Sequence, residues 1–209
     1  MIEVETEPDV AASLFCDSLE TARAFAAHLV EFGDVLGLIG PAEFGRLWSR
    51  HLLNSVILSP LIWRGATVAD IGSGAGLPGM VIAIARPDTH VTLIEPMERR
   101  AEWLRVESDR LSLSNVTVVR ARAEEARLPH PVDQVTARAV SALSKLLPLA
   151  VPLARSGGEL LLMKGERIAD EMEAAAKVIT RLRLSNVEVL ELGRGQLSEV
   201  TRVFRAAVD

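Results

Sequence analysis

Two acids and a dense set of glycines carry the chemistry that can be read from this sequence. The run Val68-Ala-Asp-Ile-Gly-Ser-Gly-Ala-Gly-Leu-Pro-Gly79 reads as a short apolar strand ending in Asp70, then a glycine-rich turn, then a helix start. Glycine lacks a Cβ and tolerates positive φ, so such a turn lets a ligand lie against bare backbone. A pyrophosphate would seek amide N–H groups at a helix N-terminus, and Asp70 would repel it. The same carboxylate can accept a hydrogen bond from a cationic or hydroxyl-bearing ligand, which favours S-adenosylmethionine (AdoMet) over a dinucleotide. Gly74-Ala-Gly76-Leu-Pro-Gly79 also satisfies G-x-G-x-x-G, so a nicotinamide dehydrogenase stays open, as does a tight turn with no ligand. Glu95, 19 residues after Gly76, ends the next apolar run. An acid there can accept from both ribose hydroxyls and supports a nucleoside ligand of either kind.

Holding these groups requires strands that end at the two acids and helices that follow them. From residue 67 the pattern alternates accordingly, with strands expected at 67–71, 90–95, 116–120, 132–137, 159–164, 187–191 and 200–207. Helices are expected at 77–85, 97–113, 141–154 and 167–184. Alternation at these lengths implies parallel βαβ units covered on both faces. The last two strands are joined by a short link with Gly193 and Gly195, which permits a hairpin and an antiparallel final strand. Before residue 60 the period is helical. Leu19, Ala22, Phe25, Ala26, Leu29 and Val30 mark a helix within 17–38, and Phe44, Leu47, Trp48, Leu52 and Val56 mark another over 42–58. The chain thus divides into an N-terminal helical region, 1–60, and an α/β core, 61–209.

Hydrophobic residues make up 49% of the 209 and charged residues 24%, as in an ordinary globular protein. Cys16 is the only cysteine, so no internal disulfide can form and a reducing cytoplasm is expected. The acidic start Met1-Ile-Glu-Val-Glu lacks the basic and apolar segments of a signal peptide. No apolar run approaches the ~18 residues of a membrane span. A net charge of −5 argues against a general nucleic-acid coat protein but leaves room for a local basic face. His28, His51, His90 and His130 show no metal-ligand spacing, so no metal is expected.

Further motifs narrow the reading. Trp48-Ser-Arg-His51-Leu-Leu-Asn54-Ser55, the glycine run, Leu93-Ile-Glu-Pro-Met-Glu-Arg-Arg100, Val119-Arg-Ala-Arg122-Ala-Glu-Glu125, Ala137-Arg138-Ala139 and Met163-Lys164-Gly165-Glu166 occur in order. Together they resemble the RsmG (GidB) family, bacterial enzymes that methylate N7 of a guanosine in the decoding region of 16S rRNA. The resemblance covers residues 17–209. It implies a class I AdoMet-dependent methyltransferase of Rossmann-like fold, with a seven-stranded, mostly parallel sheet and helices on both faces. It implies AdoMet as cofactor, S-adenosylhomocysteine as product, and 16S rRNA in the small ribosomal subunit or an assembly intermediate as partner. Membrane attachment is not expected, and a monomer is.

By the same resemblance, Asp70, Gly72, Gly74, Gly76 and Leu77 line the AdoMet site, Glu95 holds the ribose, and Ala123 and Glu124 lie beside the adenine. Arg138 reaches toward cofactor and target, and Arg138 with Lys164 positions the base. Arg50, His51, Arg99, Arg100, Arg122 and Lys164 are the candidate RNA contacts. Each has a plainer alternative: a surface arginine for Arg138, a structural hydrogen bond for His51, a solvated face for Arg99-Arg100. Trp48 and Trp103 fit core positions better than base-stacking ones.

Guanine N7 carries a free lone pair and needs no deprotonation, so no general base is required. The enzyme has to align N7, methyl carbon and sulfur, and such alignment can supply roughly 7–11 kcal/mol. Arg138 or Lys164 would hold guanine O6 or a phosphate and leave N7 free. No Asn/Asp-Pro-Pro-Tyr/Phe run for exocyclic amines occurs, and Cys16 is misplaced for a covalent pyrimidine mechanism. A small-molecule methyltransferase and a noncatalytic AdoMet- or RNA-binding module are the rival readings.

Overall fold

The structure, a computed structural model, describes residues 3–209; Met1 and Ile2 of the N-terminal region lie outside the described residues. The chain opens with α1 (Val10–Phe15) and α2 (Leu19–Phe32), joined by a 3₁₀ turn at Cys16–Ser18. The segment 42–58 is not the single regular helix its period suggests. It winds tightly as a 3₁₀ stretch over Pro41–Arg46, widens into a π-helical turn over Leu47–Leu52, and closes as α3 (Leu53–Val56). Within this turn the carbonyls of Arg50 and His51 accept from the Arg138 guanidinium, and that of His51 also from the Ser55 hydroxyl, interactions that sequence periodicity cannot register.

The alternating part follows as β1 (Thr67–Ile71), α4 (Gly79–Ala85), β2 (His90–Ile94), α5 (Glu98–Arg110), β3 (Val116–Val119), β4 (Val132–Arg138), α6 (Leu143–Ala150), β5 (Ala154–Lys164), α7 (Ile168–Arg181), β6 (Leu184–Leu192) and β7 (Thr201–Val208). The sheet order is β3-β2-β1-β4-β5-β7-β6. Only β7 runs against its neighbours, paired antiparallel with both β5 and β6. All seven expected strands form. The helix expected at 141–154 stops at Ala150, where a 3₁₀ turn containing Pro152 takes over and lets β5 begin at Ala154.

Strand order reverses beside β1, because the chain builds outward through β2 and β3 and then returns to lay β4 on the other side. Such a reversal leaves a crevice outside the carboxyl ends of the strands. The two-residue side-chain period divides β1 between two cores. Val68 packs with Phe25, Leu29, Leu52, Met80 and Trp103 on one face. Ala69 and Ile71 pack with Leu146, Leu147, Leu162 and Phe204 on the other. The N-terminal helices therefore share a core with one face of the sheet. Asp70, in phase with Val68, points to that same face, under α4. Among the described residues no helix is long and apolar enough to cross a membrane.

Candidate active site

The cradle is built by the end of β1 and the turn into α4. Asp70 is fully buried, and its Oδ2 accepts from the Gly79 N–H at 3.2 Å while Oδ1 has no partner. Burial, with some help from the nearby Glu95 charge, pushes the Asp70 carboxyl up to about 7. Gly79 permits this approach, since a Cβ there would lie 2.6 Å from Asp70 Oδ2 and 2.4 Å from a Leu93 methyl. Trp103 closes the turn from below, donating from its indole Nε1 to the Ala75 carbonyl at 3.2 Å.

Gly74 forms the open wall of the cradle. Its φ is +53°, yet a Cβ there would meet nothing nearer than the Gly72 carbonyl oxygen at 3.8 Å, so the space above it is free. Glu95, buried just past β2, accepts from the N–H of Gly74 and from that of Met97, both at 2.9 Å. Each carboxylate oxygen keeps a second lone pair for a hydroxyl. A cationic, hydroxyl-bearing nucleoside fits this donor set: bare backbone at Gly74, an orphaned carboxylate oxygen at Asp70, and spare acceptor capacity at Glu95. Gly72, Gly76 and Leu77 belong to the same turn. Val140 hangs over Gly72, with a methyl 2.8 Å from where a Cβ would sit.

Arg138 ends β4 beside this cradle but turns its guanidinium toward the N-terminal helices. Nη2 donates to the Arg50 carbonyl at 3.1 Å and to Nδ1 of His51 at 2.7 Å, and Nη1 reaches the His51 carbonyl and Ser55 Oγ at 3.4 Å. Burial and the neighbouring Arg50 charge bring Arg138 down to about 10, which leaves it charged at neutral pH. His51 completes the link by bonding Glu43 through Nε2 at 2.9 Å. Immediately after Arg138, Ala139 adopts φ +56°, a left-handed turn that is strained for a residue with a side chain. It directs Val140 over Gly72.

Outside the ends of β4, β5 and β7 lies a cleft of about 980 Å³, lined among others by Arg50, Asn54, Arg138, Val140, Lys164, Glu171, Glu199 and Thr201. Lys164 donates to the Ser141 carbonyl at 2.8 Å and pairs with Glu171 at 2.7 Å. Glu171 in turn accepts from the Leu143 N–H, so one ion pair fastens β5, α7 and the loop into α6. Arg50 pairs with Glu199 at 3.2 Å and with Glu43 at 3.4 Å.

The fold thus gathers Asp70, Gly72, Gly74, Gly76, Leu77 and Glu95 in the cradle, and Arg50, Arg138 and Lys164 in the adjoining cleft, with His51 behind Arg138. Others fall elsewhere. Arg99 and Arg100 sit at the start of α5 against the Gly37 turn, where Arg100 donates to the Gly37 carbonyl at 3.2 Å. Arg122 is exposed in the loop after β3. Ala123 and Glu124 line a separate groove of about 370 Å³ with Pro131, Pro148 and Leu153. Sequence reasoning missed Glu43, Asn54, Val140, Glu171, Glu199 and Thr201. Asn54 stands inside a quoted motif and Val140 directly follows one; Glu43, Glu171, Glu199 and Thr201 belong to no motif quoted above.

The chain is similar to known proteins along nearly its whole length. Residues 18–200 match the family model described as rRNA small subunit methyltransferase G (GidB). Ribosomal RNA small subunit methyltransferase G of Clavibacter michiganensis is 58% identical over 207 residues, covering 99% of this chain and 98% of that protein. Its namesake in Thermobifida fusca is 46% identical over 208 residues, with 100% and 88% covered. Among solved structures, a SAM-dependent O-methyltransferase from Thermotoga maritima superposes with a TM-score of 0.60 at 15% identity, covering 75% of this chain and 65% of that one. A SAM-dependent methyltransferase from Aquifex aeolicus gives 0.58 at 19%, covering 75% and 89%. At that identity the likeness is one of fold, and it agrees with the class I architecture expected from the motifs.

Proposed function

The chain belongs to the GidB family of small-subunit rRNA methyltransferases, and on that footing we propose that it methylates N7 of a guanosine in 16S rRNA. It does so with AdoMet, which when bound supplies an electrophilic methyl on sulfonium. The observation that carries this reading is the junction at Val140. There the glycine cradle of β1, suited to a cationic nucleoside, opens beside the cleft over β4, β5 and β7, suited to a base.

The residues divide the work by position. Gly74 offers backbone for close approach. Asp70 and Glu95 offer acceptor oxygens to the ammonium and hydroxyl groups of the cofactor. Ala123 and Glu124 keep the adenine role that the family motif implies, from the loop after β3, where they line a groove apart from the cradle. Val140 presses on Gly72 at the boundary and restricts how the base can sit. N7 attacks with its own lone pair, so no side chain has to remove a proton. The catalytic contribution is alignment in a cleft whose walls are fixed by the Lys164–Glu171 pair and the Arg138–His51–Glu43 link. Arg138 acts as a positioning residue: it fastens Arg50, His51 and Ser55 to the end of β4. Arg50 and Lys164 border the path of the target strand, and Arg99, Arg100 and Arg122 offer outlying phosphate contacts.

On this reading residues 1–60 shape the target side of a methyltransferase core formed by 61–209. The substrate is the small ribosomal subunit or an assembly intermediate, met in the cytoplasm by a monomer.

The test is methyl transfer from labelled AdoMet to small subunits taken from cells lacking the gene, with N7-methylguanosine mapped by chemical cleavage and primer extension. One new N7-methylguanosine in 16S rRNA is expected. The reading fails if the deletion strain's rRNA already carries the full set of N7-methylguanosines, or if free nucleosides accept methyl as well as subunits do.

A further inference from the structure

Seven buried side-chain polar atoms lack a hydrogen-bond partner among the described residues, and three of them, Asn54 Oδ1, Ser141 Oγ and Thr201 Oγ1, belong to residues lining the one cleft. Buried polar groups are nearly always satisfied, and leaving one unmet costs stability. Concentration of unmet groups in one cleft marks a place kept for a ligand. Asn54 is 8% exposed and Thr201 5%. Neither contributes a side-chain hydrogen bond to the fold, so their polarity is not structural.

The charged groups decide what kind of ligand fits. Each cationic side chain of the cleft is already engaged: Arg50 with Glu199, Lys164 with Glu171, Arg202 with Glu191, and Arg138 with the helix carbonyls and His51. A phosphate entering here would meet no free cation. An unpartnered amide oxygen needs a donor, and Glu166, which lines the cleft without an ion-pair partner among the described residues, adds to that demand. Among the bases, guanine has the edge richest in donors, N1–H beside N2–H₂. Thr201 begins β7, three strands from β1, about 14 Å at ordinary strand spacing. A purine can therefore lie between them with its N1–N2 edge toward β7 and N7 toward the cradle.

We propose that Asn54 and Thr201 read the Watson–Crick edge of the target guanine, with Asn54 Oδ1 accepting from N1–H or N2–H₂ and the Thr201 hydroxyl completing the contact. The proposal rests on the methyltransferase reading above and assigns its base specificity. Selection comes from the edge opposite N7, so the reacting nitrogen needs no protein contact of its own. It also accounts for the unmet groups, which the base satisfies on arrival.

The test uses small subunits from the deletion strain as substrate and compares Asn54→Leu, Asn54→Asp and Thr201→Val with the unsubstituted protein. Asn54→Leu and Thr201→Val are expected to lower kcat/KM about tenfold or more. Their Tm stays the same or rises, and AdoMet affinity measured by calorimetry stays within about twofold. Asn54→Asp, which still offers acceptors to N1–H and N2–H₂, retains most of the activity. Wild-type kcat/KM in both Asn54→Leu and Thr201→Val overturns the proposal. So does a loss of activity that tracks a loss of Tm or of AdoMet binding, since that marks a structural role. No methylation by the unsubstituted protein would overturn the methyltransferase reading itself, and this inference with it.

Discussion

Nη2 of Arg138 lies 2.7 Å from Nδ1 of His51, and this contact sets the tautomer of the imidazole. A guanidinium can only donate, so Nδ1 is the bare nitrogen and Nε2–H donates to Glu43. Burial first, then the Arg138 charge, bring His51 down to about 4. The folded imidazole thus stays neutral where the unfolded one, near 6.5, begins to protonate.

The consequence is a defined loss of stability in acid. The unfolded state binds more protons between pH 6.5 and 4, so the contribution of His51 is full above 6.5 and falls away as pH drops through about 4. In urea titrations, the unsubstituted protein is expected to lose about 3 kcal/mol relative to His51→Gln between pH 7 and pH 4. Parallel pH profiles for the two proteins would refute the neutral His51–Arg138 contact.

Asp70 titrates with the opposite sign. Its folded carboxyl, raised to about 7, is favoured when protonated, so its contribution is full below 3.8 and is lost as pH rises through 7. Asp70→Asn should therefore stabilise the ligand-free protein at pH 8, by up to about 4 kcal/mol, and leave it little changed at pH 4. The same variant should bind AdoMet more weakly. Melting curves across this range check the first part and calorimetry the second. A variant destabilised at pH 8 would contradict the strained carboxylate.

Two glycines of the cradle should fail in different ways when changed to alanine. At Gly79 the new Cβ would collide with Asp70 and Leu93, so the fold itself should lose about 2 kcal/mol or more. At Gly74 only the positive φ is penalised, about 1 kcal/mol, but the methyl projects into open space over the cradle. Gly74→Ala should stay folded and lose AdoMet binding at least tenfold. Denaturant midpoints and calorimetry on the two variants separate these outcomes, and tight AdoMet binding by Gly74→Ala would move the ligand elsewhere.

The Lys164–Glu171 pair should show strong coupling. The Lys164 side chain is 8% exposed and that of Glu171 25%, so removing one partner leaves a poorly solvated charge. Lys164→Met is expected to cost roughly 2–3 kcal/mol, and Lys164→Met with Glu171→Gln distinctly less than the two single changes added. Additive losses in a double-mutant cycle would mean that the two charges stand apart in solution.

Much of the fold could be read in advance because its signals are local. The apolar runs at 67–71 and 90–94 carry acids at their ends, Asp70 as the last but one residue of the first and Glu95 just past the second; the glycines between them break the strand, and the helical period resumes by residue 79. The hairpin that reverses β7 was visible in Gly193 and Gly195, both at positive φ in the structure. The segment 41–56 read less well. Apolar spacing gave its buried face, with Phe44, Leu47, Trp48 and Leu52 all in the core. It gave no hint of the tightening and widening of the turns, or of their contact with a guanidinium 88 residues away.

What the sequence determined by itself is the cradle: strand, acid, glycine turn, helix and second acid are consecutive, and short-range sterics and hydrogen bonding dictate their geometry. It also carried the family, through motifs spread over the whole chain. Only the tertiary structure decided what those motifs do together. The arginine expected to reach toward cofactor and target lines the cleft and also fastens the N-terminal helices, through carbonyls of the widened turn and a bare imidazole nitrogen at the end of β4. Lys164 lines the same cleft, held by Glu171 and the Ser141 carbonyl. The groups left unmet, Asn54 and Thr201, lie 147 residues apart in sequence and meet in one cleft only because β7 folds back beside β5. Pairing between distant charges and the absence of a partner are both properties of packing, and no local pattern encodes either.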